Sequence, residues 1–437
     1  MRWPIAGIIE GFYGKPWSWD ERADIMKWCH DRGMTHYIYA PKDDPKHRER
    51  WREPYGHGKV AGFEMLVAEG TLRVGFGISP GLSMDYGSAD DRAALGIKIN
   101  QVLACGIDLI VLALDDIPFG GAAQGRQHAE LTARLRDYLN GRATLVLVPT
   151  EYVGTRPTPY LAALAEGVPE DVPIAWTGSM VVNERITADE ARARAAALGG
   201  VAPLVWDNYP VNDALMADRL HLGPLWGRER SLADVCCGYL SNPMIQPNAS
   251  KVPLASVGAW LRGDDPLDAW AEAADELGAR VLAEACDGAV PGALVASTIE
   301  WIDEDEHADE HVAALKSWLV AASTCDGGAL GEEVSRWVEQ VRTEAKVGLD
   351  ALQLIDLARA GQFDNVVEQG FLLGFSARAL RRATVSVMGP RWGFQPALGQ
   401  RPDGTWAFHA SSVLEGTNAI DALVRAAISF ASARATS

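Results

Sequence analysis

The chain has 437 residues, and 48% of them are apolar, which is typical of a globular protein with a substantial core. Its formal charge of −18, from 58 acidic and 40 basic residues, argues against nucleic acid or an anionic membrane as a partner. The length predicts one large domain followed by a second. There is no apolar run of about 18 residues and no signal-peptide pattern, so a cytoplasmic protein is expected.

Short apolar runs alternate with helical segments through the first part of the chain. Eight runs are strand-like, and each precedes a loop. They cover residues 4–10, 35–40, 73–78, 107–117, 143–148, 172–176, 201–206 and 235–240. Helices are predicted from Ser18, over 90–105, 122–139 and 188–198, and from Ser250.

Eight such units in roughly 255 residues predict an α/β fold, a (β/α)8 TIM barrel over residues 1–258. A doubly wound open sheet is the competing architecture, but no GxGxxG turn follows the first strand. The unusual polar and aromatic residues cluster directly after strands, which is where barrel enzymes build their sites. The barrel is therefore the favoured fold.

Helical periodicity dominates from about residue 266 onward. It predicts a mainly α-helical C-terminal domain over residues 259–437. Near its end, Asp403-Gly404 lies between extended segments and predicts a short hairpin near 391–409. Trp392 and Trp406 flank that turn, either as local core or as cover for a site in the same chain or in a dimer partner.

The fourth strand-like run reads IDLIVLALDDI and ends on Asp115 and Asp116. Seven of its first eight residues are apolar, which predicts a strand buried on both faces. Carboxylates have no packing reason to end such a strand, because desolvating a charge is costly unless the charge is used or paired. Either they cap the next helix, or they carry chemistry.

Seven motifs lie at predicted strand ends. They are EGFYGKPW (10–17), YAPKDDPKHRERW (39–51), LDDI (114–117), PTEYVGT (149–155), WTG (176–178), WDNYPVND (206–213) and NPM (242–244). Together and in this order they resemble glycoside hydrolase family 84, the β-N-acetylglucosaminidase family of the O-GlcNAcases and their bacterial relatives. The resemblance covers roughly residues 5–260.

Residues near the first two strands and the fifth strand each allow two interpretations. Gly11 either serves a tight turn or lets the backbone approach a sugar. Lys42 is expected to donate to a sugar hydroxyl, whereas the later charges of KDDPKHRER are typical of a solvated run. Tyr152 is either a packed aromatic or a hydroxyl that holds an acetamide oxygen.

The residues near the ends of the last two predicted strands also allow two interpretations each. Trp206 with Asn208 and Asp213 is typical of an apolar sugar-binding floor with a polar rim, or of a core tryptophan before a polar turn. Asn242 either precedes Pro243 in a turn or binds hydroxyls.

The resemblance implies a retaining exo-β-N-acetylglucosaminidase that acts on a glycoprotein or glycan through an oxazoline intermediate. By resemblance, Asp116 is the general acid/base, and Asp115 orients the substrate acetamide. When it accepts a hydrogen bond from the acetamide N–H, Asp115 is expected to be ionised while Asp116 carries the proton. The residues implied to line the sugar site are Gly11, Lys42, Tyr152, Trp206, Asn208, Asp213 and Asn242.

Other functions remain open at this point. A non-catalytic N-acetylglucosamine-binding barrel would keep Trp206 and Asn208 but would be expected to lose an aspartate. A metal-dependent hydrolase would need an HxH pattern that the chain lacks, and the six scattered cysteines have no metal-type spacing, so no metal or cofactor is predicted. The aglycone (protein O-GlcNAc, a glycan end, or a cell-wall or hyaluronan-like fragment) and a homodimer also stay open.

Overall fold

The structure is a computed structural model that describes residues 3–304, 309–380, 383–389, 398–400, 406–408 and 418–435. By their internal contacts these residues form two compact units. The first unit holds residues 3–214, 224–269, 398–400 and 406–408, and the second holds 215–223, 270–304, 309–380, 383–389 and 418–435. The predicted division after residue 258 stays a prediction.

The first unit is built on a closed barrel of eight parallel strands, which confirms the predicted fold class. The strands are β1 (Ile5–Glu10), β2 (His36–Tyr39), β3 (Arg73–Ile78), β4 (Leu109–Ala113), β5 (Thr144–Val148), β6 (Ile174–Trp176), β7 (Pro203–Asp207) and β8 (Gly238–Ser241). The last strand closes the ring by pairing with the first, with Ile5 opposite Gly238. Each predicted strand-like run overlaps one of these strands, and only β7 and β8 extend beyond their runs, by one residue each.

Helices connect most of the strands. They are α1 (Trp19–Asp31), α2 (His57–Glu69), α3 (Ala89–Ala104), α4 (Gly121–Leu139), α5 (Pro159–Ala165), α6 (Ala188–Ala197) and α7 (Pro247–Arg262). The start of α1 follows from local chemistry, since the Ser18 side chain accepts from the N–H of Glu21 and the Glu21 side chain accepts from the N–H of Ser18. Between β7 and β8, a segment described in full, only short 3-10 helices occur, at Ala214–Met216 and Arg230–Asp234.

Alternate strand residues fill the barrel interior, because successive side chains of a strand point to opposite faces. Ile9, Ile38, Val111 and Val146 belong to one buried apolar cluster inside the ring, together with Trp206. All five residues of β4 are buried, as expected for a strand covered on both faces. The apolar run before the two aspartates is therefore explained by the burial of β4 on both faces.

The helices after the barrel confirm the predicted helical C-terminal region. They are α8 (Pro266–Glu276), α9 (Arg280–Asp287), α10 (Ala289–Glu304), α11 (Asp309–Thr324), α12 (Ser335–Arg359), α13 (Phe363–Leu380) and α14 (Ala419–Ala435). Within the second unit α12 packs against α11, α13 and α14. No helix among the described residues is long and apolar enough to cross a membrane.

Two short strands, β9 (Leu398–Gln400) and β10 (Trp406–Phe408), pair antiparallel. Residues 391–397 and 401–405 lie outside the described residues, and so do Trp392 and the side chain of Trp406. The predicted hairpin near 391–409 and the role of its tryptophans stay predictions.

Two buried ion pairs fix strand ends of the barrel. Glu10, the last residue of β1, accepts two hydrogen bonds of 2.8 Å from the guanidinium of Arg22. Asp207, the last residue of β7, accepts two of 2.7 Å from Arg228. A tyrosine on the following strand also donates to each carboxylate. Because these charges are desolvated, each depends on its partner.

Arg22→Met tests this dependence. It leaves Glu10 buried without a counter-charge, so we expect the free energy of unfolding of the barrel to fall by about 3–5 kcal/mol. The control is Arg134→Met, which removes the partner of Glu130 from an exposed helix surface and is expected to cost less than about 1 kcal/mol. Urea unfolding followed by circular dichroism measures both, and equal losses would contradict the assignment.

Candidate active site

One buried ammonium contacts the two aspartates that follow β4. Lys42 Nζ forms an ion pair with Oδ2 of Asp115 and lies 3.6 Å from Oδ2 of Asp116. The side chains of Lys42 and Asp115 are almost fully buried, whereas that of Asp116 keeps 30% exposure. Both carboxylates therefore contact the same cation. The predicted contact of Lys42 with a sugar hydroxyl stays a prediction.

Asp116 is held in an unusual backbone conformation. Its φ of +52° is left-handed, which is uncommon for a residue with a side chain and is often associated with functional sites. Its Oδ1 accepts from the hydroxyl of Tyr152 at 2.9 Å, and its Oδ2 from the hydroxyl of Tyr13 at 2.8 Å. Its backbone carbonyl accepts from Nη2 of Arg48 at 3.0 Å. The carboxylate is thus oriented from several sides.

The two carboxylates differ in proton affinity. Burial raises the pKa of Asp115 above its ordinary value, although Lys42 opposes this. For Asp116 the effect of burial is outweighed by Lys42 and by the hydrogen bonds from Tyr13 and Tyr152, so its pKa lies below the ordinary value.

This order, without a substrate, is the opposite of the one expected when the acetamide N–H donates to Asp115, and the expectation for that complex stays a prediction. The reason is the distribution of hydrogen bonds between the two carboxylates. Both tyrosine hydroxyls donate to Asp116. Oδ1 of Asp115, in contrast, is buried and accepts no hydrogen bond from the part of the chain that the structure describes.

Trp206 lies in the barrel interior and explains the glycine at position 11. It belongs to the interior apolar cluster and is 6% exposed. A Cβ built on Gly11 would lie only 2.4 Å from Cζ2 of this indole. The sequence suggested a tight turn or a close approach to a ligand. The structure adds a third reason, which is the space that the tryptophan ring occupies.

The two predicted asparagines form one hydrogen-bonded chain with their neighbours. Oδ1 of Asn208 accepts from Nε1 of Trp206 and from Nδ2 of Asn242, each at 3.0 Å. Nδ2 of Asn208 donates to the carbonyl of Val181 at 2.9 Å. Oδ1 of Asn242 accepts from the N–H of Gly11 at 3.1 Å. The structure therefore brings these residues together and fixes the orientation of their amides.

Asp213 joins the same site through Tyr13. Its Oδ2 accepts from the backbone N–H of Tyr13 at 2.8 Å, and the hydroxyl of that tyrosine reaches Asp116. Burial raises the pKa of Asp213 above its ordinary value. Lys42 Nζ lies 6.0 Å from the centroid of the Trp206 ring and so joins the aspartates to the asparagine chain. Every predicted site residue thus lies in one contact network at the carboxyl ends of the strands, where a barrel presents its site.

Tyr13 and Arg48 complete this network, and the sequence offered little to mark them. Tyr13 lies within GFYG, where a packed aromatic looks the same. Arg48 lies in the charge run that was expected to be solvated. This is confirmed for Asp43, Glu49 and Arg50, which are exposed, but it is wrong for Asp44, His47 and Arg48, which are buried. Together with buried Trp51 they are spaced by three and four residues, as on one face of a helical turn. That spacing was the available signal.

Comparison with known protein families gives one match over most of the barrel. The model of the β-N-acetylglucosaminidase family matches residues 6–288. The chain is also 31% identical over 277 residues to the protein O-GlcNAcases of Rattus norvegicus and Mus musculus. Each alignment covers 60% of this chain but only 30% of the relative, so the chain spans less than a third of these curated relatives.

Solved structures are similar over a longer part of the chain. A mutant of the O-GlcNAc hydrolase of Thermobaculum terrenum aligns with a TM-score of 0.79 and 26% identity, covering 88% of this chain and 92% of that one. A protein named CpGH84B aligns with a TM-score of 0.78 over 88% of this chain and 75% of that one. At 23% identity the second match supports the fold alone.

Gly11→Ala tests the packing against Trp206. The added methyl group must displace the indole or the loop, so we expect a loss of about 1–3 kcal/mol in the free energy of unfolding. Gly58→Ala in α2 is the control, because no atom lies within 4 Å of a Cβ there and alanine favours a helix. Thermal unfolding should separate the two variants, and a Gly11→Ala protein as stable as the unmodified one would contradict the assignment.

Proposed function

Because the chain belongs to the β-N-acetylglucosaminidase family of the O-GlcNAcases, glycoside hydrolase family 84, we propose that it hydrolyses terminal β-linked N-acetylglucosamine. The observation that carries this proposal is the contact of Lys42 with both Asp115 and Asp116. A glycosidase with its own nucleophile places two carboxylates about 5–5.5 Å apart across the scissile bond. Carboxylates that share one ammonium favour a reaction in which the substrate supplies the nucleophile.

In the proposed reaction the acetamide oxygen of the substrate attacks C1 while the leaving oxygen takes a proton from Asp116. The C1–oxygen bond to the aglycone breaks, and an oxazoline forms that keeps its proton on nitrogen, with its positive charge next to Asp115. A water molecule then adds to C1 and gives a proton to Asp116, and the ring of the oxazoline opens. Asp115 accepts a hydrogen bond from the acetamide N–H and aims the oxygen at C1. Two inversions at C1 retain the configuration.

Binding of the acetamide would reverse the order of the two pKa values. Oδ1 of Asp115 is a buried acceptor without a hydrogen bond, and the acetamide N–H is a donor that suits it. A hydrogen bond to the ionised form would lower the pKa of Asp115. The acetamide oxygen would also compete with Asp116 for the hydroxyl of Tyr152. Loss of that hydrogen bond would raise the pKa of Asp116, as its role as an acid requires.

The remaining residues of the site are assigned to the sugar itself. Asn208, Asp213 and Asn242 would bind its hydroxyls, with Trp206 as the apolar floor. Support comes from the contacts that already hold the amides of Asn208 and Asn242 in place, because a fixed amide loses little freedom when a sugar binds. No cofactor enters the proposed reaction.

For the aglycone we favour protein-linked O-GlcNAc, since the relatives named above are protein O-GlcNAcases and an O-GlcNAc hydrolase. The second candidate is a cell-wall or hyaluronan-like fragment. Comparing kcat/KM on an O-GlcNAc peptide, chitobiose and an aryl N-acetylglucosaminide separates these substrates. A protein that binds N-acetylglucosamine but turns over none of them would be a non-catalytic barrel.

The roles of the two aspartates predict different responses to the leaving group. Asp116→Asn is expected to lower kcat/KM by about 10²–10⁴-fold on an O-GlcNAc peptide, whose leaving oxygen needs a proton. The loss should be much smaller on a dinitrophenyl glycoside, because that leaving group departs as an anion. Asp115→Asn should slow both substrates alike. An equal loss on both substrates in the Asp116→Asn variant would argue against the acid role.

The acetamide of the substrate provides an independent test. Replacing its methyl hydrogens with one, two and three fluorines withdraws electrons and weakens the oxygen as a nucleophile. We therefore expect kcat to fall at each step on aryl glycosides with a constant leaving group. Rates that stay level across the series would show that the substrate is not its own nucleophile.

A further inference from the structure

Arg48 is a buried cation whose donors are only partly used. The residue is 8% exposed, and Nη2 donates to the backbone carbonyl of Asp116 at 3.0 Å. Nη1 lies 3.8 Å from Oδ2 of the same aspartate, which is ion-pair range but too long for a hydrogen bond. Nη1 is also buried, and it makes no hydrogen bond within the described ranges. A buried charged donor without a partner is costly and calls for an explanation.

The segment that carries Arg48 is fixed to the barrel, so the guanidinium is not free to leave. The carbonyl of the preceding residue, His47, accepts from the N–H of Ser79 at 2.9 Å. The ring of His47 contacts the carbonyl of Gly77 at 2.8 Å. His47 is thus bonded to two residues at the end of β3, and it holds the neighbouring Arg48 against Asp116.

We propose that Arg48 is a positioning residue for Asp116, and that its Nη1 hydrogen-bonds to Oδ2 during the part of the reaction in which that carboxylate is ionised. Nη2 meanwhile holds the backbone carbonyl of Asp116, whose backbone conformation is left-handed. This inference rests on the proposed function, because it takes Asp116 as the general acid/base.

The chemistry of the acid step explains the unused donor. In the free site the ionised Asp116 already accepts hydrogen bonds from the hydroxyls of Tyr13 and Tyr152. In the complex the acetamide oxygen takes the hydroxyl of Tyr152, so the carboxylate that forms when Asp116 gives its proton to the leaving oxygen can accept another hydrogen bond. Nη1 is 3.8 Å from Oδ2, so a shift of less than one ångström along that line is enough. The contact is worth more to the ionised aspartate than to the protonated one. Arg48 therefore favours release of the proton.

Several other groups also bear on the ionisation of Asp116. They are Asp115, Lys42 and Asp213, together with the hydroxyls of Tyr13 and Tyr152. Lys42 is tied to Asp115 by its ion pair, whereas Nη1 of Arg48 has no competing acceptor. The test must therefore change Arg48 and leave this set intact.

The test is the pH dependence of kcat, which reports ionisations in the enzyme–substrate complex, in two variants that separate charge from shape. Asp116 must be protonated at the start of the reaction, so its ionisation sets the alkaline limb of the profile. Arg48→Gln keeps an amide donor for the carbonyl but removes the positive charge, which disfavours ionisation. We expect its alkaline limb to move upward by about one pH unit. Its kcat on an O-GlcNAc peptide is expected to fall by up to about tenfold.

Arg48→Lys keeps the charge but cannot bridge the carbonyl and the carboxylate at once. Its alkaline limb should stay where it is, while kcat falls. The matched control is Arg50→Met in the same segment, whose side chain is 57% exposed and whose profile should not change. If Arg48→Gln lowers kcat and thermal stability but leaves both limbs in place, Arg48 is merely structural and the proposal is overturned.

Introducing Arg48→Gln into the Asp116→Asn variant distinguishes a failure of this inference from a failure of the proposed function. If Asp116→Asn keeps the alkaline limb, the acid role of Asp116 fails, whatever Arg48 does. If the limb is lost, adding Arg48→Gln should produce no further change in the pH profile, because the group it acts on is gone. A further shift in the double variant would overturn the role of Arg48 and leave that of Asp116 standing.

Discussion

Two carboxylates on consecutive residues at the end of a buried strand are the constraint around which this protein is organised. Two negative charges side by side and largely shielded from water repel each other and lose their hydration, so they need positive charge or hydrogen-bond donors close by. Lys42, from the segment after β2, supplies one positive charge to both. The hydroxyls of Tyr13 and Tyr152, from the segments after β1 and β5, then distinguish Asp116 from Asp115. The environment of the pair is thus assembled from the segments that follow four strands, namely β1, β2, β4 and β5.

The barrel delivers these parts because its strand ends are themselves fixed. Glu10 is held by Arg22 immediately before the loop that carries Gly11 and Tyr13. Asp207 is held by Arg228 immediately before Asn208. Buried ion pairs are weak sources of net stability, but they orient the backbone strongly because both partners must stay in place. The loops that carry Tyr13 and Asn208 therefore leave the barrel from fixed backbone positions.

The arrangement also explains why the site has spare hydrogen-bonding capacity. Oδ1 of Asp115 and Nη1 of Arg48 are buried polar atoms without partners among the residues described. In a folded protein such atoms are rare and costly, so they are expected where a ligand or a change of charge will use them. An acetamide N–H would satisfy the first atom, and an ionised Asp116 would satisfy the second.

The sequence by itself determined the barrel and predicted which residues come together in the candidate site. Short apolar runs with helices between them predict a parallel sheet, and the polar residues after the strands favoured a barrel over an open sheet. Asp115, Asp116 and Lys42 stand out because charges directly follow buried strands. Only the tertiary structure decided which groups meet, since hydrogen bonds between residues far apart in the chain leave no periodic trace. The pKa order of the aspartates and the burial of Arg48 depend on such contacts. Sequence reasoning therefore located the site, and the packing of the loops set its electrostatics.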